Sequence, residues 1–261
     1  MRMWRGLALL ALLLAGCANP PGASPEMGAT ASAGQADAEV RQRARIFTEL
    51  ATAYYSRAQY KTALEELRKA IVVDGRYGPA YNVYGLIYME LAEDKLAEEN
   101  FRRAIDLDRA DSEAHNNYGW FLCTRGRYDE GLEQFAAALR NPLYPQPELA
   151  MANAGQCAEM KGDLALAETN LNKSLKLQPD NADTVLRLAA LRYRQGRLPE
   201  AQRLLGRHEE LSPPTAASLW LGVRVERKLA DRAQEAAYGL QLRKRFPNSN
   251  ETSLLLSGQY E

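Results

Sequence analysis

Three stretches of this 261-residue chain resemble one another at a fixed spacing of 34 residues. Each stretch begins with a large residue, at Phe47, Tyr81 and His115, and carries a small residue four positions later. A second pattern follows in each stretch and starts at a small residue, at positions 63, 97 and 131. A period of this length indicates a repeat protein, in which each unit buries its apolar face only by packing on its neighbours.

Three further units continue the pattern toward the C-terminus. The fourth begins at Met151, which is 36 residues after His115, the fifth returns to the 34-residue spacing at Val185, and the sixth is degraded. The predicted units lie near residues 44–77, 78–111, 112–145, 148–181, 182–215 and 215–248. We therefore expect one elongated domain over residues 38–261, with polar caps at 37–45 and 248–261, because the terminal units of a repeat array need polar outer faces.

Each unit has the composition of two helices. Large residues recur with helical spacing on one face, and Gly126, Gly162 and Gly196 lie where the first helix of a unit would end, a place where glycine readily takes the left-handed conformation. This pattern resembles the tetratricopeptide repeat, a pair of antiparallel helices. The predicted fold is all-α: a tetratricopeptide-repeat solenoid of about six antiparallel helix pairs that form a right-handed superhelix.

The N-terminus predicts a signal peptide over residues 1–16. Arg2 and Arg5 precede an apolar run over residues 7–15, which is about half the ~20 residues that a membrane-spanning helix needs. The sequence 14–17, Leu-Ala-Gly-Cys, resembles the bacterial lipobox. That resemblance implies cleavage before Cys17 and lipidation of this residue. The alternatives are an ordinary signal peptide with an incidental cysteine and an uncleaved membrane anchor.

The residues after Cys17 favour a lipid anchor in the outer membrane, facing the periplasm. The next residue is Ala18, rather than the aspartate that commonly retains lipoproteins in the inner membrane. Residues 17–37 are rich in Pro, Gly, Ser and Ala and have no apolar period. This composition predicts a flexible tether between the lipid and the folded domain.

The charge balance argues against nucleic acid as a partner. The chain has 33 basic and 33 acidic residues, and removal of Arg2 and Arg5 with the signal peptide leaves 31 against 33. A near-neutral chain offers neither a basic footprint for phosphates nor an electrostatic grip on anionic lipid.

Two cysteines remain once Cys17 carries lipid. Cys123 and Cys157 fall on the first helices of units three and four, which lie side by side in such a solenoid. In an oxidising compartment we expect them to form a disulfide, which would contribute ~3–4 kcal/mol if their Cα atoms lie within ~7 Å. The alternative is a pair of small buried apolar residues.

The 34-residue period is interrupted by two extra residues between units three and four. Residues 141–147 contain three prolines, which forbid a continuous helix and stiffen the connection. The segment is either a rigid joint that bends the solenoid or a tolerated surface loop. The flanking prolines predict that Tyr144 is exposed and available as a contact residue.

The sequence does not predict an enzyme. The only two histidines, His115 and His208, occupy framework positions of their helices, and no metal-ligand spacing, phosphate-binding loop or nucleophile motif is present. Carboxylate pairs such as Glu65-Glu66 and Glu98-Glu99 fall on predicted exposed helix faces rather than in a cleft of the kind that glycosidases need. We expect no metal, no cofactor and no small-molecule substrate.

A protein partner would bind along the surface lined by the first helices. The predicted groove residues are Tyr55, Asn82, Leu86, Met89, Asn116, Asn117, Trp120, Asn153 and Gln156. Asn117 and Asn153 fall at equivalent positions, where an amide can hold the backbone of an extended peptide; the alternative role is a helix-to-helix hydrogen bond. Tyr55 and Trp120 are aromatic anchor candidates, whereas Trp220 fits a core position equally well. The mixed apolar and amide character argues against a basic clamp for C-terminal carboxylates.

Several longer stretches go beyond a generic repeat. They are residues 115–123 (His-Asn-Asn-Tyr-Gly-Trp-Phe-Leu-Cys), 126–130 (Gly-Arg-Tyr-Asp-Glu), 141–144 (Asn-Pro-Leu-Tyr), 219–226 and 245–249. Together with the lipobox and the six units, they are similar to the PilF/PilW family of type IV pilus biogenesis lipoproteins.

This resemblance implies a pilotin. Such a lipoprotein binds the secretin of the pilus machine, localises it to the outer membrane and promotes its assembly into a multimeric channel, on which surface pili and twitching motility depend. The alternative is a general periplasmic tetratricopeptide lipoprotein that scaffolds other envelope-assembly factors or peptidoglycan enzymes.

Overall fold

The computed structural model describes residues 26–260, and the side chains from residue 35 onward. The predicted signal peptide and Cys17 therefore lie outside the described residues. Arg41–Glu261 forms one compact unit. Of the preceding unit, which ends at Val40, the structure describes helical backbone from Glu26 and exposed side chains at residues 35–40.

The described residues form helices connected by short turns, with no strand among them. The helices are α1 (Glu26–Tyr55), α2 (Tyr60–Val73), α3 (Gly78–Glu90), α4 (Asp94–Leu107), α5 (Ser112–Thr124), α6 (Tyr128–Ala138), α7 (Pro147–Lys161), α8 (Leu164–Leu177), α9 (Ala182–Arg194), α10 (Leu198–Leu211), α11 (Ala216–Leu229), α12 (Arg232–Arg245) and α13 (Asn250–Ser257). In this part of the chain, no helix is both long and apolar enough to cross a membrane.

The helices pair as the period predicts. In units two to six the second helix packs against the first helix of its own unit, and the second helices α2, α4, α6, α8 and α10 pack against the first helix of the next unit. In the first unit, Ala51 of α1 and Ala63 of α2 belong to one core cluster. The first helices α3, α5, α7, α9 and α11 are neighbours in that order. The predicted all-α tetratricopeptide-repeat solenoid is therefore confirmed. α13 packs against α11 and α12 at the C-terminal end of the array.

Close helix approach explains the small residues of the pattern. A Cβ atom on Gly85 would lie 2.6 Å from the ring of Phe101, and one on Gly119 would lie 3.0 Å from the ring of Phe135. Both phenylalanines come from the second helix of the same unit and are fully buried. Each glycine therefore makes room for the aromatic ring that fills the core of its unit.

The turns between paired helices use alanine as well as glycine. Gly126, Gly162 and Gly196 have the expected positive φ angles, but Ala58 and Ala92 take the same left-handed conformation in the first two repeats, with φ of 54° and 57°. The Cβ atom makes this conformation costly for alanine. The turn geometry is thus set by the repeat and not by glycine alone.

Two expectations differ from the structure. The predicted tether extends to residue 37, whereas α1 begins at Glu26; alanine at positions 29, 31, 33, 36 and 38 gives this stretch a high helix propensity. The prediction that Tyr144 is exposed is wrong, because its side chain is buried against Ala138 and Ala150. A turn in which the backbone N–H of Leu143 donates to Asn141 Oδ1 (2.9 Å) directs Leu143 outward instead, with 85% of its surface exposed.

Candidate functional site

The first helices of repeats three and four are covalently joined. Cys123 on α5 and Cys157 on α7 form a disulfide with their Cα atoms 5.6 Å apart, and both residues are fully buried. A Cβ atom on Gly131 would collide with Cys123 Sγ and would lie 2.8 Å from the backbone oxygen of Gly119. The disulfide fixes two adjacent helices of the surface predicted to bind a partner.

A continuous line of side-chain amides crosses the same helices. Asn153 Nδ2 donates to Asn116 Oδ1 (3.1 Å), Asn116 Nδ2 donates to Asn117 Oδ1 (3.3 Å), and Asn117 Nδ2 donates to Asn82 Oδ1 (3.2 Å). We refer to these four residues as the asparagine chain. It connects α7 to α5 and α5 to α3, which are the first helices of three consecutive repeats.

The asparagine chain repeats with the fold. Asn82 and Asn116 occupy one repeat position, and Asn117 and Asn153 occupy the next, so the same inter-repeat hydrogen bond forms twice. Asn82 and Asn116 are 3% exposed, whereas Asn117 and Asn153 are half-buried at the surface. Of the two roles left open by the sequence, the helix-to-helix hydrogen bond is present in the structure. Each amide still has a second N–H and a second acceptor site on its oxygen.

The other predicted groove residues contribute to the core as well as to the surface. Leu86 and Met89 are half-buried against a cluster that includes Phe101. Trp120 is half-buried against the cluster that contains the disulfide. Tyr55 packs in the first repeat, with its ring centroid 6.1 Å from that of Tyr60. These residues are therefore held in place by packing rather than standing free.

Gln156 and the tryptophan of the sixth repeat complete the set. Gln156 is half-buried on α7, one turn from Asn153. Trp220 is 8% exposed and belongs to the core cluster of the last repeat.

Two polar depressions lie at the ends of the asparagine chain. The first, about 220 Å³, is lined by Asn82 together with residues of both charges, such as Arg45, Glu49 and Asp111. The second, about 310 Å³, is lined by Asn153. Its other lining residues include Glu148, Asp183 and Arg187. The surface along the first helices therefore offers amides in its middle and mixed charge at both ends, which suits an extended polypeptide better than a single anion.

Ion pairs between the first and second helices of the same or neighbouring units were not foreseen from the sequence. Arg192 is 5% exposed and contacts Glu168 Oε2 (2.5 Å) and Glu200 Oε2 (3.2 Å). Hydrogen bonds from Arg192, Gln195 and Arg197 lower the pKa of Glu168 to about 2. A related arrangement joins Glu98 to Arg127 and Arg127 to Glu130 two repeats earlier.

Both histidines are framework residues. His115 Nδ1 lies 2.7 Å from Gln134 Oε1 and its Nε2 lies 3.2 Å from the carbonyl oxygen of Arg109, while His208 Nδ1 lies 3.1 Å from the carbonyl oxygen of Ala182. Within the described part of the chain, no group of three or more His, Cys, Asp or Glu residues is arranged to hold a metal ion.

Comparison with known proteins places the repeats in one superfamily. Tetratricopeptide-repeat models match residues 78–111, 100–133, 122–182 and 159–219.

Two relatives resemble the chain over most of its length. The crystal structure of PilW, described as a widely conserved type IV pilus biogenesis factor, is 32% identical, with a TM-score of 0.77, and the match covers 82% of this chain and 98% of PilW. The type IV pilus assembly protein PilF of Pseudomonas aeruginosa is 29% identical over 212 residues, which are 81% of this chain and 84% of PilF. A solved structure of the Pseudomonas aeruginosa protein matches with a TM-score of 0.74 and covers 84% of this chain and 99% of that structure.

Proposed function

The chain belongs to the PilF/PilW family of tetratricopeptide-repeat proteins of type IV pilus biogenesis, and from this we propose that it is an outer-membrane-anchored pilotin. In this role it binds the pilus secretin, localises it and promotes its multimerisation, without catalysis and without a cofactor. The observation that carries the proposal is a surface of three consecutive first helices, held by a disulfide and by the asparagine chain, in a chain whose N-terminus has a lipobox-like sequence at Cys17.

The lipid supplies localisation. Each buried CH₂ group of an acyl chain contributes about 0.8 kcal/mol, so one chain binds a membrane only marginally and several chains bind it firmly. A protein anchored in this way confines its client to the membrane surface and raises the local client concentration. Multimerisation of a secretin then becomes more favourable without any chemical step.

The fixed surface supplies recognition. Its helices are already positioned by the disulfide and by inter-repeat hydrogen bonds. Binding therefore carries no additional entropy cost for ordering these helices. Asn117 and Asn153 are half-buried and keep unused N–H and acceptor sites. In our proposal these amides hold the backbone of an extended client segment, and Gln156 and Trp120 lie beside it on the same helices.

A pull-down from detergent-solubilised outer membranes tests the proposal. The bait is the purified mature chain, and the test variant carries Asn117→Ala and Asn153→Ala. A matched control carries Asn100→Ala and Asn172→Ala on α4 and α8, where each amide donates only to a carbonyl of its own helix (Leu96 and Glu168). We expect the secretin to be the main protein recovered by the wild type and the control, with at least a fivefold loss in the test variant. Recovery of peptidoglycan hydrolases without secretin would instead support a general envelope scaffold.

A further inference from the structure

Residues 258–260 fold back onto α11, the first helix of the last repeat. Gly258, with φ of 71°, ends α13 and turns the chain toward α11. The ring of Tyr260 then stacks on that of Trp220, with centroids 5.7 Å apart and planes 23° apart. The guanidinium of Arg227 lies 3.8 Å from the centroid of the Tyr260 ring, and Arg224 Nε donates to the Tyr260 carbonyl oxygen (2.9 Å).

Tyr260 covers Trp220, which occupies the same repeat position as Asn117 and Asn153, the residues proposed above to bind a partner. Trp220 lies two residues before Gly222, as Asn117 lies two residues before Gly119 and Asn153 two before Gly155. Gly222 makes the same close approach as Gly119, because a Cβ atom there would lie 2.9 Å from the ring of Tyr238. In the sixth repeat, a segment of the chain itself therefore occupies a place where repeats three and four present amides.

These contacts add to the capping of the array, because Tyr260 packs against the same core cluster as Leu254 and Leu255 of α13. Leu254 and Leu255 of α13 pack against the core cluster of the last repeat and cover its apolar end. In the tail that follows, residues 257–260, Ser257 to Gln259 are exposed. The backbone N–H groups of Gly258 and Gln259 donate to the carbonyl oxygens of Leu255 and Leu254 (3.3 and 3.0 Å), so Tyr260 is the one side chain of the tail that packs against the last repeat. One stacked ring, one cation on its face and one bound carbonyl are interactions that any extended segment with an aromatic residue can make.

The positive charge of the surrounding repeats indicates that a partner segment bound here would carry acidic residues. Residues 182–248 contain 13 Lys and Arg and 7 Asp and Glu, a net charge of +6. Arg224 and Lys228 both lie over the ring of Tyr193, at 4.5 and 4.6 Å from its centroid, and neither forms an ion pair among residues 35–260. Arg227 is paired with Glu235 (2.8 Å). Arg224, which contacts Tyr260, and Lys228, one turn further along α11, are therefore available to carboxylates.

We propose that Trp220, Arg224 and Arg227 form a second protein-binding site, which takes an extended acidic segment of a partner through one aromatic side chain, and that Tyr260 occupies this site until the partner displaces it. Because the tail is tethered, it competes at an effective concentration in the millimolar range. Removal of its ring opens the site. This site shares no residue with the asparagine chain, but its place in the register rests on the function proposed above; loss of peptide binding here and loss of secretin recovery there are separate measurements.

Fluorescence anisotropy with a labelled peptide, Asp-Ser-Gly-Gln-Tyr-Asp-Glu, tests the inference on the mature chain. We expect Tyr260→Ala to bind this peptide at least tenfold more tightly than the wild type does, and Tyr260→Phe, which keeps the ring, to behave like the wild type. Replacing the peptide tyrosine by alanine, or adding Arg224→Gln to Tyr260→Ala, should remove the gain. Equal affinity of Tyr260→Ala and wild type, or equal binding of the alanine peptide, would overturn the proposal.

A second measurement does not depend on the fold of a variant. In the wild-type protein, saturating peptide should displace the tail and accelerate hydrogen exchange of the amides of residues 258–260 at least threefold, while exchange in α5 stays unchanged. Unchanged exchange of the tail in the presence of bound peptide would contradict displacement.

Discussion

The sulfur of Cys123 occupies the space that a Cβ atom on Gly131 would need. Gly131 begins the second-helix pattern of repeat three, and the corresponding position holds alanine in four other repeats, at 63, 97, 167 and 201. These alanines are fully buried between helices. Repeat three therefore has glycine rather than alanine at this position because the disulfide that joins α5 to α7 leaves no room for a Cβ atom.

Gly131→Ala should destabilise the protein by about 1–3 kcal/mol, because the added methyl group must overpack a buried site. Chemical denaturation measures the effect. In a Cys123→Ala, Cys157→Ala background the cost should fall by at least half, although the Gly119 oxygen at 2.8 Å keeps it above zero. Gly206→Ala is the control: nothing lies within 4 Å of its added Cβ, and helix propensity predicts a gain of about 0.5–1 kcal/mol. If Gly131→Ala lowered the free energy of unfolding equally with and without the two cysteines, the disulfide would not be the reason for glycine at this position.

Reduction of the Cys123–Cys157 disulfide should lower the free energy of unfolding. The bonded residues are 34 apart in sequence, and loop-closure entropy for a loop of this size corresponds to about 3–4 kcal/mol. Urea titrations with and without reductant measure the difference, with the double alanine variant as the reductant-insensitive control. A change below about 1 kcal/mol would contradict a stabilising role.

Asn116→Ala should cost about 1–3 kcal/mol, since it leaves Asn153 Nδ2 and Asn117 Oδ1 without their partners near a buried position. Asn172→Ala removes an amide that bonds only to a carbonyl of its own helix, and should cost under 1 kcal/mol. Thermal unfolding of the two variants compares them directly. Equal losses would show that the asparagine chain adds nothing to the ordinary effect of removing an asparagine.

Glu168 should make the protein sensitive to acid. Its folded-state pKa of about 2 is below the ordinary value of 4.5, so its contribution is fully present above the unfolded pKa and is lost as pH falls from about 4.5 toward 2. Glu168→Gln should cost about 1–3 kcal/mol at pH 7, because the buried Arg192 loses a charged partner, and should flatten the fall in stability over that pH window. Glu99→Gln, at an exposed position, is the control. A pH profile unchanged by Glu168→Gln would contradict this assignment.

The sequence predicted the helix pairs well because a packing period is a local pattern. Positions 47, 81 and 115 repeat with the fold, and every predicted unit contains a helix pair. It also placed Asn117 and Asn153 at equivalent repeat positions, and both lie in one hydrogen-bonded line in the structure. The residues that approach one another closely, Cys123 and Cys157 among them, follow from the stacking of neighbouring repeats.

What the sequence could not give depends on contacts between distant residues. The burial of Tyr144 follows from how the ends of α6 and α7 meet, and prolines on either side do not reveal it. The pairing of Arg192 with Glu168 depends on side-chain directions across two helices. The contact of Tyr260 with Trp220 joins residues 40 positions apart.

The most direct test of the proposed pilotin role is a deletion strain complemented with the wild-type gene or with Cys17→Ser, in which secretin multimers are quantified in the outer-membrane fraction. We predict that multimers and surface pili are lost on deletion, restored by the wild type and restored poorly by Cys17→Ser at equal protein level. Normal multimers and normal pili in the deletion strain would contradict the account.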